Sequence, residues 1–172
     1  MKDEDTYNDP FMDKNLISLY PAYAEEEDFN FVGCETDEEY RKLYKFMDYF
    51  LISSDKEYMS IYLKDSIEHP LEKKNGEIRR FDYIITMPPV KNDYPIELLR
   101  EDKYQRFNYT KIGNFKSKDW IYLDHVISTL TDKGKAMVFL PRFLLSDEGE
   151  NKAIREALVK LDLIEKIIIL PE

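Results

Sequence analysis

The chain has 172 residues, 43% of them apolar and 14% aromatic, which is enough to bury one substantial core and is read most simply as a single domain over residues 1–172. One cysteine, Cys34, excludes an intramolecular disulfide framework and a cysteine-based zinc cluster; His69 and His125 stand too far apart in sequence to pair as ligands, so no metal site is expected. The net charge of −10 is local: residues 1–40 carry 13 acidic and 2 basic side chains and the remainder is near neutral, which weakens nucleic-acid binding without excluding it. No charged-then-apolar leader opens the chain, and no apolar run approaches the roughly 18 residues of a membrane span, so a soluble cytoplasmic protein is expected.

In chain order, Met1–Asp5 is polar and expected to fray, and Thr6–Pro10 reads as a short strand ending at Asp9-Pro10. Asn15–Ala24 has helical content broken by Pro21, and Glu25–Asp28 is an acidic turn. Phe29–Cys34 reads as a strand ending at Glu35. Thr36 with Glu39 three residues on is a capping box, and the following helix to about Ile52 places Leu43, Met47, Phe50 and Leu51 on a core-facing stripe. Met59–Leu63 is a third strand ending at Asp65. The stretch Phe81–Val90, FDYIITMPPV, carries an apolar strand straight into Pro88-Pro89, which must stop it because proline fixes φ and has no N–H for a ladder.

Lys91–Lys118 has no strong period and is expected to be a long loop with one short helix at most. Its Lys103, Arg106, Lys111, Lys116 and Lys118 could neutralise phosphates beside Tyr104, Phe107 and Tyr109 as stacking platforms; the same residues also describe an ordinary solvated loop. Asp119 caps an amphipathic helix with Trp120, Leu123, Val126, Ile127 and Leu130 inward, closed by Gly134, and His125 is expected at its surface or half-buried. Lys135–Leu140 is a fifth strand stopped by Pro141. A helix over about Glu150–Leu161 turns Ile154, Ala157, Leu158 and Leu161 inward, and Ile164–Leu170 is a last strand.

Strands separated by helices at this spacing imply an α/β fold, a mostly parallel sheet with helices on both faces. Asp9, Glu35, Asp65 and Pro88-Pro89 all stand at strand ends, where open α/β sheets hold ligands such as nucleotides. Acidic residues also end strands simply as helix caps, and both readings stay open. Cys34 is read as a small buried hydrophobe.

Three stretches, FDYIITMPPV, KDWIYLDHVISTLTDKGKAMVFLP and NKAIREALVKLDLIEKIIILPE, in this order and spacing, resemble the methylation subunits of type I restriction–modification systems. Upstream, FVGCETDEEYRKLYKFMDYF, SIYLKDSIEHPL and TYNDPFMDKNLI are similar to that family's second strand and helix, the approach to its catalytic strand, and its cofactor loop. The resemblance implies a Rossmann-like, S-adenosylmethionine-dependent methyltransferase fold and adenine-N6 methylation of DNA. It further implies DNA and a specificity subunit as partners. The cofactor positions it assigns are Asp9, Pro10 and Phe11 in the loop, Glu35 as the ribose-binding acid and Asp65 as the acid near the adenine ring; Met87, Pro88, Pro89 and Val90 fall on the catalytic turn.

The chain departs from that family at the sites themselves. The family's catalytic turn reads Asn or Asp, then Pro-Pro, then an aromatic residue that stacks on the flipped-out base. Met87 and Val90 offer a poor acceptor and no π face. The family's loop is glycine-rich, whereas Met12, Asp13, Lys14 and Asn15 include no glycine, so that Asp13 and Lys14 are expected to fill the methionine moiety's space. Two readings follow: a DNA adenine-N6 methyltransferase domain, or a non-catalytic pseudo-methyltransferase serving as a structural or interaction module. An exposed sheet edge could also support a homo-oligomer.

Overall fold

The structure, a computed structural model, describes residues 6–16, 30–51, 59–90, 94–116 and 119–171, without the side chains of Phe50 and Leu51. The expectations for Met1–Asp5, for the Pro21-broken helix beyond residue 16 and for the Glu25–Asp28 turn fall outside these residues, as do Phe29, Lys91 and Lys118. The chain divides into two compact units, the first running to Pro89 and resuming over Val126–Phe139, the second made of Val90–His125 and Leu140 onward.

The first unit holds five strands, β1 (Thr6–Asp9), β2 (Asn30–Glu35), β3 (Met59–Leu63), β4 (Phe81–Thr86) and β5 (Leu130–Val138), in the order β3-β2-β1-β4-β5. All four pairings are parallel. Phe31, Val32 and Cys34 of β2 and Phe81 and Ile84 of β4 are buried, as suits strands within an α/β fold, whereas most of β5 is exposed. Polar groups set the registers. The Asp82 carboxylate accepts from the Thr6 N–H (3.1 Å), the Thr6 hydroxyl (2.8 Å) and the Thr131 hydroxyl (3.0 Å), joining β1, β4 and β5 at one end. Asn8 donates its side-chain amide to the Val32 carbonyl at 2.7 Å, and Tyr7 stacks on Tyr83 with ring centroids 5.0 Å apart.

Helix α1 (Glu38–Leu51) follows β2, and its cap differs from the expected one. The Thr36 N–H is taken by the Glu35 carboxylate at 2.8 Å, and the Asp37 carboxylate accepts from the Glu39 N–H at 2.9 Å, so Asp37 caps the helix. The buried face also differs from the expected stripe. Tyr44 joins Met12, Phe31, Met59 and Ile61 in the core with Tyr40 and Met47 packed against it, while Leu43, expected inward, is 46% exposed.

Gly134 also differs in role: it lies within β5 rather than closing a helix, and a Cβ there would stand 2.9 Å from the Phe81 carbonyl oxygen. The strand therefore begins at Leu130, directly after helix α4 (Trp120–Thr129), because a residue without a side chain lets the chain close on β4.

In the second unit the expected long loop contains two short helices, α2 (Ile96–Arg100) and α3 (Asn108–Ile112). A further short helix, α5 (Phe143–Ser146), precedes α6 (Glu150–Lys160). The Arg106 guanidinium, 3% exposed, pairs with Asp102 at 2.6 Å and contacts His125 Nδ1 at 2.8 Å. Arg106 and the buried Phe107 are thus core parts rather than a phosphate clamp and a stacking platform, and Lys116 pairs with Glu150 at 2.8 Å.

His125 is buried rather than on the helix surface, because α4 is covered around Ile121, Tyr122, Asp124 and Val126 instead of along one stripe. Trp120 donates its indole N–H to Asn151 at 2.7 Å. Gly113 lets α3 approach α6, where a Cβ would meet Glu150 and Ile154 side chains at 3.1 Å. Ile154 and Leu158 of α6 are buried as expected, but Leu161 is exposed. Ile164–Leu170 forms no strand, and Ile167, Ile168, Ile169 and Leu170 are exposed: β-propensity alone makes no strand where, among the described residues, the segment pairs with no ladder partner. Among the described residues no helix is long and apolar enough to cross a membrane, and no His, Cys, Asp and Glu cluster could hold a metal ion.

Candidate functional site

Strand order in the first unit reverses at β1, which lies between β2 and β4, so the carboxyl ends of β1 and β4 form the switch point where doubly wound sheets take ligands. Asp9 ends β1 and is fully buried. Its Oδ1 accepts from the Phe11 N–H at 3.0 Å and from the Thr86 hydroxyl at 2.6 Å, which ties the end of β1 to the end of β4. Thr86 was not among the expected site residues; its signal is a small hydroxyl side chain that follows Ile84 and Ile85 at the end of β4, one residue before the turn. Pro10 and Phe11 are buried behind Asp9.

Beyond Thr86, whose carbonyl accepts from the Phe139 N–H at 3.0 Å, the chain runs into the turn. Pro88 and Pro89 are half-buried, Met87 is 43% exposed and Val90 is 92% exposed. The proline pair holds the turn at the carboxyl end of β4 and leaves a thioether and an isopropyl group at the positions flanking it. A thioether accepts hydrogen bonds weakly and cannot orient an amino group as an amide or carboxylate does.

Glu35 ends β2 and is 1% exposed. Its Oε2 accepts from the Lys14 N–H at 3.0 Å and its Oε1 from the Thr36 and Asp37 N–H groups at 2.8 and 2.9 Å. Asp65, after β3, accepts from the Ile67 and Glu68 N–H groups at 2.8 and 3.3 Å through Oδ1, and its carbonyl accepts from the His69 N–H at 2.8 Å. Both acids thus cap the backbone that follows their strands. The structure links Asp9 to Thr86 and Glu35 to Lys14.

Asp13 and Lys14 do not point into the sheet; both are exposed, with φ of +36° and +65°. The residue that fills space is Met12, buried against Gly33. Lys14 extends to Asp37 at 3.1 Å and lies 5.2 Å from the centre of the Tyr40 ring. The ammonium holds the Asp37 carboxyl below its ordinary range, and the carboxylate raises the lysine in turn. Burial pushes the Cys34 thiol up to about 11, so it behaves as an inert apolar group there.

An all-parallel sheet ordered 3-2-1-4-5, with acids closing three strands and a double-proline turn closing β4, defines a Rossmann-like α/β protein of the methyltransferase kind. The chain belongs to the N-6 DNA Methylase family, whose profile matches residues 11–172. The type I restriction enzyme MjaVII methylase subunit of Methanocaldococcus jannaschii is 33% identical over 124 residues, 69% of this chain and 20% of that protein. The MjaVIII methylase subunit of the same organism is 27% identical over 179 aligned residues, 99% of this chain and 30% of that protein. The structure of the type I restriction–modification methyltransferase subunit from Streptococcus thermophilus superposes with a TM-score of 0.68 at 18% identity, covering 92% of this chain and 34% of that one. The chain therefore spans between a fifth and about a third of the length of these relatives.

Methyltransferases of this family draw on S-adenosylmethionine. The described residues do not fit that group: the acid assigned to the ribose hydroxyls is buried with three backbone N–H groups on its oxygens. The loop assigned to the methionine moiety has no glycine over residues 10–15, and its Met12 side chain is buried against Gly33.

Proposed function

We propose that this chain serves a type I restriction–modification methylase as a methyltransferase-fold scaffold and does not itself transfer a methyl group to adenine N6. The observation that carries this reading is the turn after β4, where Met87 and the 92%-exposed Val90 flank Pro88-Pro89. Adenine-N6 transfer needs an acceptor to hold the exocyclic amine and a ring to stack on the extruded base, and neither side chain supplies one. In this reading the partners are DNA and a specificity subunit, and the compartment is the cytoplasm.

A second reading, a DNA adenine-N6 methyltransferase, is supported by the placement of the Pro88-Pro89 turn at the switch point beside Asp9. Incubating the purified chain with S-adenosylmethionine carrying a tritiated methyl group and adenine-containing duplex DNA, with and without a type I specificity subunit, separates the two. The scaffold reading expects no label in adenine above a no-protein control, together with co-elution of chain and specificity subunit on size exclusion. Label in N6-methyladenine that disappears in a Pro88→Ala, Pro89→Ala variant would establish the second reading instead.

A further inference from the structure

We infer that the loop after β1 is a built-in occupant of the cofactor's ribose site: Lys14 gives Glu35 the hydrogen-bond donor that a nucleoside hydroxyl would otherwise give, so the site is closed by its own chain. The inference rests on assigning residues 9–15 to the family's cofactor loop, and methyl transfer is not its readout.

A carboxylate that binds ribose must present open lone pairs to solvent. Glu35 presents none of that surface, being 1% exposed. One oxygen faces back across the loop to the Lys14 N–H at 3.0 Å, and the other faces forward to the Thr36 and Asp37 N–H groups at 2.8 and 2.9 Å. The side chain of Lys14 completes a ring, reaching Asp37 at 3.1 Å over Tyr40. Lys14 is thus held at both its backbone and its ammonium, by the two residues that flank Thr36.

The rest of the loop is anchored as firmly. Met12 donates its N–H to the Cys34 carbonyl at 3.1 Å, and its sulfur takes the space that a Cβ on residue 33 would fill, so Gly33 is what admits it. The Met12 carbonyl accepts from the Asn15 N–H at 2.8 Å and from the Asn15 side-chain amide. The Tyr44 hydroxyl donates to the Asn15 carbonyl at 3.2 Å. Two consecutive non-glycine residues at positive φ are disfavoured and persist only where the surroundings over-determine them. Here five hydrogen-bonding groups and an ion pair do so.

Amide hydrogen exchange of the full chain, with calorimetric titration by S-adenosylmethionine up to about 1 mM, tests this. The expected result is protection of the Lys14, Thr36 and Asp37 amides in the unmodified chain, no saturable heat, and a loss of protection of roughly ten-fold or more at these amides in Glu35→Gln. Asp37→Asn, a change at a half-buried position where asparagine can still cap the helix, is expected to speed exchange at Lys14 and leave β4 amides unchanged; it decides the matter if Glu35→Gln fails to fold. One-to-one binding of S-adenosylmethionine by the unmodified chain would overturn the inference. So would unprotected Lys14 and Thr36 amides, or exchange at Lys14 that neither variant changes.

Discussion

Replacing Asp124 by asparagine makes the stability of the second unit respond differently to pH. Asp124 is buried in α4 and takes three donors, the Tyr109 N–H at 2.9 Å, the Thr110 N–H at 2.7 Å and the Thr110 hydroxyl. Burial still dominates and pushes its carboxyl from the ordinary 3.8 up to about 6. Folding therefore favours the protonated acid, and the stability this contributes is present in full below the unfolded value and lost as pH rises through about 6. The gap between those values corresponds to roughly 3 kcal/mol.

His125 titrates against this trend. Burial first, and the Arg106 charge second, hold its pKa well below 6.5, so its contribution is present above 6.5 and lost as pH falls through the folded value. A variant that removes only the Asp124 term separates the two. Asparagine is neutral throughout, and it leaves one of the three donors without an acceptor, at a cost of about 1–3 kcal/mol. Urea unfolding followed by the fluorescence of Trp120, the single tryptophan, reports this unit at each pH. The stability of the unmodified chain minus that of Asp124→Asn is expected to fall by roughly 3 kcal/mol between about pH 4 and pH 8. A difference that stays flat to within about 0.5 kcal/mol across that range would refute the claim that burial governs this carboxylate.

Three further outcomes follow from the first unit. Gly134→Ala places a methyl group 2.9 Å from the Phe81 carbonyl oxygen and is expected to destabilise by about 1–3 kcal/mol, read as a lowered Tm; an unchanged Tm would mean that β4 and β5 are not closed as described. Asp13→Gly relieves a residue held at φ +36° and is expected to raise stability by up to about 1 kcal/mol in the same assay, whereas a loss would show that the Asp13 side chain contributes more than its backbone costs. Cys34, buried with its thiol pushed up to about 11, should react with a thiol reagent near pH 8 only as fast as the chain opens, so rapid stoichiometric labelling of the folded protein would contradict its burial.

The sheet was legible because its signals are local and repeated. Runs of branched and aromatic residues at Phe31–Cys34, Met59–Leu63 and Phe81–Ile85 favour strands, and proline ends the most apolar of them whatever surrounds it. Alternation of strand and helix then leaves a parallel sheet as the economical arrangement, and the four observed pairings are parallel; the order of the strands is set only in the folded chain. The segment Ile164–Leu170 carries the same local signal and forms no strand, because a ladder needs a neighbour and composition does not supply one.

Tertiary structure alone decided what the charged and polar residues do. Arg106 reads as a cation in a polar stretch until Asp102 and His125 close around it, and His125 reads as a surface or half-buried residue until the fold buries it with its neighbours Asp124 and Val126. Glu35 stands at a strand end in either description; whether its carboxylate faces a ligand or a backbone depends on Lys14, 21 positions away in sequence. Hydrophobic burial follows from composition and period, which a window of sequence contains. The partner of a hydrogen bond or a buried charge is a matter of ångströms and angles between distant segments, and only the folded chain sets those.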